Sequence, residues 1–201
     1  IYNYYGHNNQ IYNNVISNNT ATGTSGYIYA IYPYYSENVQ VFNNTITNNT
    51  GYYLYLIYPY YGNGGHTISS NLIENNTGTS IYSIYCYSSA SPKLTNNYIH
   101  NNSASSTFYG VYTYTAANAD IRNNRVENNT CQSLAYGINA FTAANATIAN
   151  NKVKDLYGGS SMYGIYLLSS ANSKILSNSV SNIRQIAGTT TSYCDGIYVG
   201  N

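Results

Sequence analysis

Charge is almost missing from this sequence. Of 201 residues 6% are charged, 7 Lys+Arg against 6 Asp+Glu, for a net charge of +1. So small a balance gives no electrostatic reason to bind nucleic acid or an anionic membrane. It also removes the usual solubility device, so the surface tolerates or seeks contact. Tryptophan is absent. No apolar run approaches the roughly 20 residues of a membrane span. The start carries no initiator Met and no signal-peptide pattern, which reads as a mature form or an excised piece. Three cysteines, Cys86, Cys131 and Cys194, are an odd number without metal-ligand spacing and read as buried or free thiols. No nucleotide loop, zinc spacing or Ser-His-Asp arrangement is visible, so neither metal nor cofactor is expected.

A short phrase that keeps returning takes the place of these features: Ile-x-Asn-Asn-x-Ile-x-Asn-Asn. It runs from Ile11 to Asn19, and again from Val41, Ile68, Leu94 and Ile121, with two looser copies from Ile148 and Ile175. Its anchor asparagines are Asn14, Asn44, Asn71, Asn97, Asn124, Asn151 and Asn178, spaced by 30, 27, 26, 27, 27 and 27 residues. A fixed period in this range means a solenoid.

Each copy has an aliphatic residue three before the anchor and another two after it, with polar neighbours. Two short strands therefore meet at the Asn. A third strand lies about 13 residues before the anchor, with the inward column Ile1, Ile31, Ile57, Ile84, Val111, Ile138, Ile165 and Ile197. Three short strands per turn describe an all-β triangular coil of about seven turns. Each strand pairs in parallel with its equivalent one turn away, about 4.8 Å along the axis. Residues 1–201 read as one domain.

The phrase and its spacing resemble the right-handed parallel β-helix repeat of the pectate-lyase-like superfamily, including NosD-like and surface-protein branches. The resemblance implies a right-handed single-stranded parallel β-helix. It leaves function open, because that fold hosts lyases, hydrolases, adhesins and structural proteins.

A second column sits four residues after the anchor: Asn18, Asn48, Asn75, Asn101 and Asn128, then Asp155 and Asn182. It is expected to point inward and to form, with the anchors, hydrogen-bonded amide ladders from turn to turn. Its five asparagines also begin Asn-x-Ser/Thr sequons, but a laddered Asn cannot carry a sugar. That leaves Asn43 and Asn145 as the glycosylation candidates.

The sequence has 28 tyrosines, and most of them fall on the third strand. Columns at Tyr29, Tyr55, Tyr82, Tyr109, Tyr136, Tyr163; at Tyr32, Tyr58, Tyr85, Tyr112, Tyr166; and at Tyr34, Tyr60, Tyr87, Tyr114 are all expected to face outward. They would tile one face with rings, more aromatic surface than a monomer ordinarily exposes. Such a face fits packing against copies of the same chain, or stacking on a polysaccharide.

Acids are few. One outward column, Glu74, His100, Glu127 and Lys154, with Arg122 and Arg125 nearby, is the candidate catalytic group. Two coil rises put its glutamates about 9 to 10 Å apart, near the upper end for an inverting pair. The acid cluster that the resemblance implies for a polysaccharide lyase is missing, and the column reads as a charge ladder. A loop is expected over Arg184 to Asp195.

The chain begins and ends at one phase of the repeat without an obvious cap, which makes it either a piece of a longer β-helix or a filament protomer. The first expectation is a non-enzymatic, extracellular or cell-surface structural protein that self-assembles into a filament, sheath or surface layer, through open ends and the tyrosine face. A carbohydrate-binding or adhesive module is the alternative, and a polysaccharide lyase or hydrolase the second alternative.

Overall fold

A computed structural model describes residues 1–185 and 192–201. Every regular element in it is a β-strand, and every strand pairing is parallel with the equivalent strand one turn away. The chain winds as a coil with three walls. Wall 1 runs from Gln10–Tyr12 through Lys93–Thr95 to Lys174–Leu176. Wall 2 runs from Val15–Ser17 through Tyr98–His100 to Ser179–Gln185. The tyrosine wall runs from Tyr2–Tyr4 through Thr77–Ser89 to Cys194–Gly200.

The aliphatic columns fill the space between the walls. Ile46, Ile73, Ile99, Val126 and Val153 on wall 2 are fully buried, as are Ile68, Leu94, Ile121 and Ile148 on wall 1. Ile31, Ile57, Ile84, Val111, Ile138 and Ile165 close the triangle from the tyrosine wall. Each buried aliphatic residue contributes about 1.5–3 kcal/mol, and the columns repeat that contribution coil after coil.

Asparagine pairs make the corners, and the two members have different duties. At the first corner Asn13, Asn43, Asn96, Asn123 and Asn150 take φ of 55 to 59°, a left-handed backbone that Asn tolerates better than most residues. The anchor that follows points inward. From Asn14 to Asn151, its backbone N–H and its Nδ2 both donate to Oδ1 of the next anchor at 2.9–3.1 Å, ending on Asn178.

The second ladder runs one residue later than the sequence pattern suggested. Asn18, Asn48, Asn75, Asn101 and Asn128 are exposed and take the left-handed backbone, with φ of 54 to 58°. The inward ladder is Asn19, Asn49, Asn76, Asn102 and Asn129, with bonds of 2.8–3.1 Å. A left-handed residue resets the in–out alternation, so counting by twos across the corner selects the wrong member of the pair. Beyond Asn129 the column continues as Leu156 and Ile183. Asp155 and Asn182 belong to the outward row, where Asn182 Nδ2 donates to Asp155 Oδ1 at 2.8 Å.

Two further differences follow from the same corner. Strands such as Arg125–Cys131 continue through it, so wall 2 and the tyrosine wall form one 16-stranded sheet and wall 1 a separate sheet of 7. Strands of the tyrosine wall are also longer than expected, up to 13 residues. Of the loop expected at Arg184 to Asp195, Arg184 and Gln185 end a strand, and Cys194 and Asp195 begin the next. Residues 186–191 lie outside the described residues.

Candidate functional site: the tyrosine wall

Strict alternation would turn Tyr29 inward with Ile31. It faces outward because two successive residues, Ala30 and Ile31, both point into the core. The same doubled inward step recurs as Leu56 and Ile57. In later coils the first inward residue is a glycine for lack of room: a Cβ on Gly110 would lie 2.5 Å from the Gly137 carbonyl oxygen. The doubled step spreads the outward tyrosines into separate columns.

Parallel pairing then stacks like on like. The column from Tyr29 to Tyr163 has ring centroids 4.8–5.1 Å apart with planes within 11°. Tyr32, Tyr58, Tyr85 and Tyr112 stack at 4.6–5.2 Å. Tyr34, Tyr60, Tyr87 and Tyr114 stack at 5.0–5.3 Å, and Phe141 follows Tyr114 at 5.4 Å. Each offset-stacked pair contributes about 0.5–1.5 kcal/mol beyond the area it buries. The middle column is broken at Asn139, which is buried and whose Oδ1 has no hydrogen-bond partner. It resumes with Tyr166 and Tyr198 at 4.8 Å.

Further stacks escaped the sequence pattern. Tyr27 stacks on Tyr53 at 4.9 Å on the same wall. At the corner beyond it Tyr5, Tyr35 and Tyr61 stack at 5.3–5.5 Å despite left-handed φ of 49 to 54°. The signal available was the run of adjacent tyrosines, Tyr4-Tyr5, Tyr34-Tyr35 and Tyr60-Tyr61, at one repeat phase.

This geometry decides what the wall offers. Each ring turns its faces to its ladder neighbours, so the solvent meets ring edges and hydroxyls. Tyr29 is 40% exposed, whereas Tyr58, in the middle column, is 8% exposed. Burial, and then neighbouring phenols, raise the pKa of Tyr55, Tyr58, Tyr85, Tyr109 and Tyr112 well above the usual tyrosine range. Burial pushes Tyr136 up to about 12. The phenols are therefore protonated and neutral at any ordinary pH. Through the coils from Tyr27 to Leu168 the strands of this wall contain no charged residue.

The charges stand on wall 2. Glu74, His100, Glu127 and Lys154 form one column in the expected order. His100 Nε2 is 2.9 Å from Glu74 Oε2, and the imidazole stacks on Tyr98 at 4.1 Å. Glu127 is only 6% exposed and is held by Arg125 at 2.8 Å and Lys152 at 2.9 Å. Burial raises its pKa, and the bonds from the two cations outweigh that, leaving it below the usual carboxylate range. Glu127 is thus engaged by two cations, and Glu74 by the imidazole of His100. Arg122 stands apart from them, on wall 1, paired with Asp120.

Among the described residues no group of three or more His, Cys, Asp or Glu could hold a metal ion. All three cysteines are free, with Cys86 and Cys131 buried and Cys194 exposed. Asn43 and Asn145, the expected glycosylation candidates, are exposed in left-handed turns.

The family model described as "Right handed beta helix region" matches residues 1–126 and, in an overlapping second match, residues 60–201. Two overlapping matches are what a repeat produces when it can be aligned in more than one phase. No curated protein and no solved structure gives a match.

Proposed function

This chain belongs to the right-handed β-helix family, and we propose that it is a structural protein whose copies pack side by side through the tyrosine wall into a filament, sheath or layer outside the cell. The observation that carries this reading is the uncharged wall of aligned tyrosine ladders. Its width is about eight residues at 3.3 Å and its height about six coils at 4.8 Å, or roughly 750 Å². That is close to one side of a standard protein–protein interface, about 800 Å². Tyrosine suits such a contact because its ring edge packs while its hydroxyl finds a partner. The extracellular placement rests on the composition and on the family resemblance.

Carbohydrate binding through this wall would need a ring face open to a sugar, and the ladders turn those faces toward one another. Catalysis at Glu74 and Glu127 would need a carboxylate free to exchange protons, and both are engaged by cationic partners or by His100.

The test is sedimentation velocity with electron microscopy on residues 1–201 and on the double variant Tyr82→Lys/Tyr109→Lys. Side-by-side assemblies are expected for the parent, and monomers with an unchanged β-sheet spectrum for the variant. A parent that stays monomeric at high concentration would overturn the reading. Assemblies that survive both lysines would also overturn it and place the contact at the ends of the rod. Polysaccharide retention lost in Tyr58→Ala/Tyr85→Ala/Tyr112→Ala would instead make the wall a sugar-binding surface.

A further inference from the structure

The inward ladder uses the second asparagine of each corner pair, and this frees the first. Asn48, Asn75, Asn101 and Asn128 are exposed, with no side-chain hydrogen bond among the described residues, and Asn18 reaches only Ser17 Oγ at 3.4 Å. Each is followed two residues on by a hydroxyl side chain: Thr20, Thr50, Thr77, Ser103 or Thr130. Those hydroxyls also face outward, and Thr50, Thr77 and Ser103 line an open surface groove of about 340 Å³.

The left-handed turn alone does not account for this. The first corner has five left-handed asparagines, and only Asn43 has Ser or Thr two residues later. The corner holding Asn8, Asn38, Asn118, Asn145 and Asn172 has the same backbone, and there only Asn145 does. At the second corner the pattern holds in five successive coils and lapses in the last two, at Asp155 and Asn182. Backbone geometry is common to all three corners, so the added hydroxyl marks a different requirement at this one.

We propose that the second corner is a row of N-linked glycan acceptors, occupied at alternate coils. The acceptor needs an exposed Asn amide with a Ser or Thr hydroxyl two residues on, and the structure presents both on one ridge. In the transfer, Asn Nδ2 loses one proton and bonds to the anomeric carbon of a lipid-pyrophosphate-linked oligosaccharide. The anomeric C–O bond breaks, and the lipid pyrophosphate leaves with the electron pair. Successive acceptors lie about 4.8 Å apart, closer than two sugar rings can sit, so a glycan on one coil excludes its neighbours. This inference is independent of how the tyrosine wall is used.

The chain is secreted from a eukaryotic host and released with peptide N-glycosidase in heavy-oxygen water, which marks each occupied Asn as labelled Asp. Two or three marks per molecule are expected among Asn18, Asn48, Asn75, Asn101 and Asn128, never on adjacent coils. Thr50→Val and Thr77→Val keep the β-branched shape and the turn asparagine, and each should abolish the mark at its own site with the fold unchanged. A bare second corner beside glycosylated Asn43 or Asn145 would overturn the proposal, as would a wholly bare chain. Marks on neighbouring coils of one molecule would overturn the alternation.

Discussion

The tyrosine wall and wall 2 are two faces of the same 16-stranded sheet, yet they differ almost completely outside. Behind both lies the same arrangement, fully buried aliphatic columns one coil apart. In front of one stand stacked neutral phenols. In front of the other stand Glu74, Arg125, Glu127, Lys152 and Lys154, with a carboxylate held by two cations. The fold constrains the inward positions and leaves the outward ones free, so what distinguishes this protein from any other β-helix is written on the outside. Stacking also acts differently on the two walls. Identical tyrosines gain from meeting each other. Identical charges would repel, and on wall 2 the in-register cations Arg125 and Lys152 are held together by Glu127 between them.

Several measurements would sharpen or break this contrast. The largest effect is expected at the corner the two walls share. Asn49→Leu leaves Asn19 N–H and Nδ2 without their acceptor and removes the Nδ2 donor to Asn76 Oδ1 and to the Ile16 and Thr47 carbonyls, keeping only the backbone N–H on Asn76. A loss of about 3–5 kcal/mol is expected by urea unfolding, since each orphaned buried group costs about 1–3 kcal/mol. Asn48→Gly, one residue earlier, keeps the left-handed turn and should cost less than about 1 kcal/mol. Equal costs would contradict the ladder assignment.

Acid comes next. His66 is 1% exposed, accepts from Val39 N–H at Nδ1, and leaves Nε2 without a partner. Burial lowers its pKa to about 4. The unfolded chain therefore binds the proton more readily. Stability should be level above about pH 6.5 and fall as pH drops from there to about 4, by up to about 3 kcal/mol. His66→Asn should flatten that slope in urea midpoints taken across the range. If the slope persists between pH 6.5 and 4, His66 is not its source, and neither is Glu127, whose lowered pKa contributes stability that is lost only at lower pH.

Tyr85→Ala removes a ring that stacks on Tyr58 at 4.9 Å and Tyr112 at 4.6 Å. About 2–3 kcal/mol should be lost, from buried area and two ladder contacts. The matching change on wall 2, Glu74→Gln, weakens a partly buried contact with His100 and should cost less than about 1 kcal/mol. If the two costs were similar in the same thermal melts, the tyrosine ladder would be no more cohesive than an ion pair.

Much of this was legible before folding. The aliphatic columns follow from a 27-residue period and alternation within each strand, and Ile73, Ile99 and Val126 stand where that rule puts them. The tyrosine columns were legible from the period, although alternation alone turns the Tyr29 column inward and only the doubled inward step at Ala30 and Ile31 faces it outward. Asn18 and Asn19 were not distinguishable by pattern. Both precede a strand, and only the left-handed turn at the first decides that the second points inward. Glu127 looked like an exposed acid because its outward neighbours vary. Its burial comes from Arg125 on its own strand and from Tyr98 and Lys152, which reach it only when coils stack.

The sequence by itself determined the period, the residues that fill the core, and the presence of tyrosine rows at one phase of the repeat. Those depend on what each residue is and where it falls within its own strand, and both are local. Tertiary structure alone decided which asparagine of each pair enters the ladder, that two walls join into one sheet, and that ring edges rather than faces meet the solvent. Each of these is fixed by contact between residues about 27 positions apart, and a left-handed corner or a doubled inward step breaks the alternation that local reading relies on.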